Sequence, residues 1–240
     1  MKLSVDLESV CRLREMGGIG DPQPVRIGLM CDDAGAHELS FRIHREDEYQ
    51  VVRDVEMTRE LTQCDVALRI SPHGELLKLA FEAKPDRVVL VPERAGSSTF
   101  DTGFDLGQSR EMLRKAISTL RDGDIAASIF IDADIDQVRA AHRLELAAVD
   151  LDIRRVTSAQ SDGVRRSELQ RVMDALRAAT KLGIEVTVSG GIRYSDLLTL
   201  SKMTELSGVQ LGHALIARGL TSGIPEATRL ALTRLDGRTT

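Results

Sequence analysis

The sequence predicts an α/β fold, a single-domain (βα)8 TIM barrel with extra helices over residues 1–240. Three observations carry this. Eight short runs rich in β-branched and other apolar residues alternate with longer amphipathic stretches. No proline- or serine-rich linker divides the chain, and 240 residues suit one such barrel. The last two strand–helix units each turn on glycine, where barrels of this class commonly hold phosphate. Periodicity does not report closure, so an open doubly wound sheet is the alternative architecture.

In order, the strand candidates are Leu3–Leu7, Glu38–Ile43, Asp65–Ile70, Arg87–Val91, Ala127–Ile131, Ala147–Ile153, Glu185–Ser189 and Gly208–Leu211. Helices are expected between them. The first opens at Asp21-Pro22, an N-cap followed by a first-turn proline, and stops at Ala34-Gly35. Others are expected near Asp54–Gln63, His73–Ala83, Ser109–Arg121, Asp136–Arg143, Ser167–Leu182, Ser195–Met203 and Ala214–Leu220, with a last near Pro225–Leu235. Long connections are expected after the second strand (His44–Val52), the fourth (Pro92–Gly107) and the sixth (Arg154–Arg166). In a barrel these lie on the catalytic face, where loops cover substrates.

Composition excludes several function classes. A formal net charge of -5 argues against a nucleic-acid or membrane-surface partner, since both need a basic face. Aromatics make up 3% with no Trp, which removes the usual platforms for stacking bases. Cys11, Cys31 and Cys64 have no metal-like spacing and no His partner in motif spacing, so they read as reduced core or helix-face thiols. The N-terminal stretch lacks the apolar run of a signal peptide, and no segment approaches a membrane span. The expectation is a cytoplasmic protein.

The segments Val186-Thr187-Val188-Ser189-Gly190-Gly191 and Gly208-Val209-Gln210-Leu211-Gly212-His213 each run from a β-run through glycine into a helix-like stretch. Such a turn exposes backbone N–H groups beside the positive end of a helix dipole, which suits phosphate. Any barrel needs tight strand–helix turns, but the pairing of two at the seventh and eighth strands favours a phosphorylated ligand. A helix-start residue such as His213 is placed equally well to bond backbone or ligand.

The segments Ser128-Ile-Phe-Ile-Asp-Ala-Asp134, Leu90-Val-Pro-Glu-Arg94, Gly103-Phe-Asp-Leu106, Glu82-Ala-Lys-Pro85, Gly35-Ala36, Arg53-Asp-Val55 and Leu211-Gly-His-Ala-Leu-Ile-Ala-Arg218 occur in this order. Together they resemble the pyridoxine 5′-phosphate synthase family over nearly the whole chain. The resemblance implies a (βα)8 barrel, a homo-octamer, and a vitamin B6 synthase that condenses an amino-ketone phosphate with deoxyxylulose phosphate. It implies phosphate contacts at Gly190, Gly191, Gly212, His213 and Thr99, and it puts Glu93 and the Asp132–Asp134 pair at the mouth.

Against the family's active-site pattern this chain differs. Arg42 stands at the acid/base histidine of the second strand and Tyr49 at a substrate histidine; in a register shifted by one residue these become Ile43 and Gln50. Arg69 aligns with the catalytic glutamate of the third strand. Ser189-Gly190-Gly191-Ile192 lacks the histidine that follows the seventh strand, and Gly17 replaces an arginine of the first loop. Ring formation needs repeated proton transfer by groups titrating near neutrality, and arginine cannot act as an ordinary base. His44, Arg42 and Arg69 are the candidate catalytic groups, with His44 either a displaced second-strand histidine or a solvated loop residue.

Asp6, Glu8, Asp132, Asp150 and Asp152 form an acidic mouth set. Alternation puts Asp6 with Glu8, and Asp150 with Asp152, on matching strand faces. Such carboxylates suit Mg²⁺. They equally neutralise Arg42, Arg69 and Arg154, which is the preferred reading, so no metal and no cofactor are expected. The function expected is a divergent member of this family binding a phosphorylated small molecule. The alternatives are a non-catalytic ligand sensor or partner subunit, and a genuine synthase with rearranged groups.

Overall fold

The computed structural model describes residues 1–43, 48–92 and 103–238. Eight parallel strands close into a barrel in sequence order: β1 (Lys2–Asp6), β2 (Glu38–Arg42), β3 (Asp65–Ile70), β4 (Arg87–Leu90), β5 (Ala126–Asp132), β6 (Ala148–Asp152), β7 (Glu185–Ser189) and β8 (Gly208–Leu211). Closure runs through the β1–β8 ladder, with Lys2 opposite Gly208 and Val5 opposite Leu211. The open-sheet alternative is thereby excluded. Around the barrel lie α1 (Glu8–Gly17), α2 (Pro24–Asp33), α3 (Glu48–Leu61), α4 (Gly74–Ala83), α5 (Arg110–Asp122) and α6 (Ile135–Arg143). After them come α7 (Arg154–Thr157), α8 (Asp162–Lys181), α9 (Tyr194–Leu200), α10 (His213–Ser222) and α11 (Ile224–Leu235).

Strand alternation sorts the side chains into two cores. Leu39 and Phe41, Val66 and Leu68, and Val149 and Leu151 point outward and are fully buried beneath the helices. Burying each is worth about 1.5–3 kcal/mol, so this period-two row holds the helices to the barrel. Inside the barrel a separate small apolar cluster, Ala67, Val89, Val91 and Phe130, fills the β3–β5 side. The remaining inward positions are largely polar, and they build the site.

Four helix expectations change. α1 lies over residues read as unassigned, because its buried face carries Arg14 beside Val10 and Cys11 and so lacks a clean apolar stripe. Arg14 is offset by a buried pair with Asp54, at 3.1 and 2.7 Å. α1 also overturns the pairing of Asp6 and Glu8 on one strand face, since Glu8 opens the helix. α2 starts at Pro24 behind Gln23, so Asp21-Pro22 precedes the helix. α3 begins at Glu48, six residues earlier than expected, because Val51, Val52 and Val55 form a buried helical face. The expected loop Arg154–Arg166 is instead the turn α7 and the start of α8, capped by the Ser161 hydroxyl accepting from the Val164 amide at 3.3 Å.

The Asp132–Asp134 segment sets a helix start. The Asp134 carboxylate accepts from the amides of Asp136 and Gln137 at 2.8 and 3.3 Å and caps α6. Asp134→Ala should therefore lower the unfolding free energy by about 1 kcal/mol, read by urea denaturation; an unchanged midpoint would refute the cap.

Candidate functional site

A polar lattice fills the lower barrel. Arg87 at the start of β4 donates to Glu38 of β2 at 3.0 and 2.9 Å, to Asp150 of β6 at 2.8 Å and to Ser128 of β5 at 2.8 Å. Ser128 donates to the same Asp150 oxygen, and Ser4 donates to Glu38. Burial opposes the Arg87 charge, but Asp150 and Glu38 outweigh it and hold its pKa above the ordinary value. Asp150, expected at the mouth, thus sits deep in the barrel at 1% exposure, because its strand position points inward one step below Asp152. Glu38, Arg87, Ser128 and Gln210 are not among the site residues expected from the sequence. Their signal was a polar residue at alternate positions of otherwise apolar strands.

Above this lattice stand two arginines. Arg69 donates to Gln210 Oε1 at 2.7 Å, lies 3.8 Å from Asp150 Oδ1, and sets its guanidinium 5.1 Å from the centre of the Phe130 ring. Arg42, directly across the ladder from Arg69, is 7% exposed and pairs with Glu8 at 3.5 Å. Burial, then Glu8 and Arg69 in opposite senses, act on Arg42; the net effect lowers it to about 10, so it remains a cation at neutral pH. The arginines are therefore brought together at the mouth, where Glu8 and Asp150 pair with them and Asp6 acts on them through space.

The two glycine turns lie side by side at the ends of β7 and β8. Gly190 and Gly191 have φ of +106° and +64°, a conformation open to glycine. A Cβ on Gly190 would run into Asp152 Oδ1, and Thr157 Oγ1 donates to the Gly190 carbonyl at 2.9 Å. Gly212 is the N-cap of α10, whose first turn has no side-chain cap. A Cβ there would lie 3.1 Å from Asp6 Cβ and 3.5 Å from Asp6 Oδ2. His213 opens α10 and is exposed. Each turn is thus backed by a carboxylate.

Both carboxylates are perturbed upward. Burial, then the Glu8 charge, pushes Asp6 up to about 6 against Arg69, the Glu8 amide and Arg42. Burial likewise raises Asp152, although Arg154 lies 3.3 Å from it and the Arg154 amide donates to it at 2.9 Å. Asp132 accepts from the Gly103 amide at 2.7 Å, with Arg155 at 3.9 Å. Burial lifts Cys11 and Cys64 to about 12 and Cys31 to about 11, far from thiolate chemistry. Among the described residues no group of three or more His, Cys, Asp or Glu is arranged to hold a metal ion. None of their helices is long and apolar enough to cross a membrane. His44, Glu93 and Thr99 lie outside the described residues.

These features define a closed (βα)8 barrel with a charged mouth and paired glycine turns at its last two strands. Residues 3–236 match the model of the family described as pyridoxal phosphate biosynthesis protein PdxJ, and the chain belongs to that family. A pyridoxine 5′-phosphate synthase of Syntrophobacter fumaroxidans is 30% identical over 236 residues, 98% of this chain and 99% of that one. A protein of the same name from Syntrophotalea carbinolica is 29% identical over 227 residues, 95% of each chain. Solved structures share the fold at low identity. KGPDC from Streptococcus mutans superposes with a TM-score of 0.62 at 14% identity, covering 98% of this chain and 96% of its own. Monomers of the dimeric phosphoribosylanthranilate isomerase from Thermotoga maritima give 0.60 at 12% identity, covering 99% and 100%.

Proposed function

We propose that this pyridoxine 5′-phosphate synthase-like barrel binds a phosphorylated small molecule at the β7 and β8 turns, without the ring-forming condensation that the resemblance implies. The observation that carries it is the pair Arg42 and Arg69, buried at the mouth at 7% and 5% exposure, with Arg42 beside the Glu8 carboxylate and Arg69 bonded to the Gln210 amide oxygen. A guanidinium fixed in this way positions charge but does not shuttle protons. The phosphate half of the reading is supported by the uncapped α10 N-terminus beside the Gly190-Gly191 turn, and by relatives named for a phosphorylated product. A non-catalytic role, as ligand sensor or partner subunit, is the second reading; the mutual pairing of Glu38, Arg87 and Asp150 inside the barrel favours it. Assembly as a homo-oligomer, octameric by the resemblance, belongs to the same proposal.

Incubation with the amino-ketone phosphate and deoxyxylulose phosphate is expected to give no pyridoxine phosphate above a protein-free control. Phosphorylated compounds, in contrast, should raise the melting temperature, because a ligand that binds only the folded state stabilises it. Product formation that is lost in His213→Ala or His44→Ala would overturn the first half. A melting temperature indifferent to every phosphate compound would overturn the second.

A further inference from the structure

Resting on that phosphate reading, we propose that anion binding at the β8 turn is proton-linked: the ligand enters together with one proton, which is held on Asp6. The geometry points there first. Gly212 brings the α10 N-terminus against the Asp6 carboxylate, whose Oδ2 lies 3.5 Å from where a Gly212 Cβ would stand. An anion on the first-turn amides of α10 is therefore a close neighbour of that carboxylate, in surroundings where like charges repel strongly.

Charge balance points the same way. Among the described residues, and beside the self-balancing Asp152–Arg154 pair, four interior carboxylates, Glu38, Asp150, Glu8 and Asp6, face three guanidiniums, Arg87, Arg69 and Arg42. The set reaches neutrality with one proton aboard. Asp6 is its natural seat, since it accepts from the Glu8 amide at 2.9 Å while the other three carboxylates each pair with an arginine. Among the described residues, the titratable or charged groups acting on Asp6 include Glu8 and Cys11 of α1, Arg42 of β2 and Arg69 of β3. From β8 it meets Gly212, with His213 next along the chain.

A separate observation indicates that a polar ligand is accommodated on this side of the barrel. Gln210, two residues before Gly212 on the same inward row, leaves Nε2 without an acceptor, and Ser40, across the ladder from Asp6, leaves its hydroxyl unpartnered. Both residues are more than nine-tenths buried, at 6% and 1% exposure. An oxygen-bearing group reaching down from the turn satisfies donors that are otherwise unused.

The sign follows from which state holds the proton. Repulsion by the bound anion raises the Asp6 pKa further, so the complex binds more protons than the free protein. Affinity is then constant below pH 6 and falls by about tenfold per pH unit above it, until the pKa of the complex is reached.

The test is sulfate titration calorimetry from pH 5.5 to 8, because sulfate keeps its charge across this range while a phosphate ester does not. Repeating the titration in buffers of different ionisation enthalpy counts the protons. The native chain should take up close to one proton per sulfate near pH 7, and its affinity should fall with pH. Asp6→Asn should abolish both effects and bind more tightly than the native chain at pH 8, with circular dichroism confirming the fold. His213→Gln should keep the proton uptake. Uptake that survives Asp6→Asn, or that disappears in His213→Gln instead, overturns the proposal while leaving the phosphate reading standing. Failure of both sulfate and inorganic phosphate to bind any variant at any pH overturns both.

Discussion

Arg87→Met should cost about 3–5 kcal/mol of unfolding free energy, the largest effect expected from a single replacement in the barrel interior. Methionine replaces the aliphatic stem but leaves Glu38 and Asp150, with side chains 12% and 1% exposed, facing each other without their shared cation. Arginine supplies four hydrogen bonds here, two of them in parallel to Glu38, and lysine's single ammonium cannot reproduce that fork. Arg87→Lys should therefore recover only part of the loss. Removing the whole lattice, as Glu38→Gln with Arg87→Met and Asp150→Asn, should restore most of it, since a buried ion pair is worth little net over a neutral replacement. Guanidinium denaturation, with the denaturant slope checked for constancy, measures all three variants. A loss below about 1 kcal/mol for Arg87→Met would mean that water screens the lattice as it does surface pairs.

Legibility in the sequence followed the physical origin of each feature. The strands were visible because outward rows such as Leu39–Phe41 and Val149–Leu151 must be apolar to seat the helices. α1 was hidden for the converse reason: Arg14 occupies a core-facing position and is neutralised by Asp54, forty residues away in sequence. Paired cations at the mouth, and neutralising carboxylates among Asp6, Glu8 and Asp150, follow from the sequence; which carboxylate meets which arginine, and the part of Gln210, do not. Glu8 meets Arg42 only because the chain turns into a helix directly after β1, and Gln210 meets Arg69 across the barrel. Closure of the sheet creates those contacts, and no local pattern encodes closure. The glycine turns were legible as turns. That a carboxylate leans on each of them was not, because Asp6 and Asp152 arrive from other strands.

Gly190→Ala should cost about 3 kcal/mol, well beyond an ordinary glycine replacement, and the reason separates two roles for this turn. Part is conformational: at φ +106° an L side chain is strained, worth about 1–3 kcal/mol. The rest comes from the new Cβ, which would displace the Asp152 carboxylate from the Arg154 amide and guanidinium, at 2.9 and 3.3 Å. Gly191 supplies the control. Its φ of +64° lies in the ordinary left-handed region, and its Cβ would meet the Thr157 hydroxyl at 3.0 Å, so Gly191→Ala should cost only about 1 kcal/mol. Adding Asp152→Ala to Gly190→Ala should relieve the collision but not the strain, giving a non-additive cycle, as contacting residues do. Equal losses for the two single alanine variants, or a strictly additive cycle, would show that Asp152 does not lean on Gly190 and that the turn's glycines are independent of the carboxylate. If the cycle couples as expected, Gly190 is glycine because Asp152 needs the space. The same narrow approach then brings any anion on the β7 turn within reach of a second buried carboxylate, as Asp6 stands behind β8.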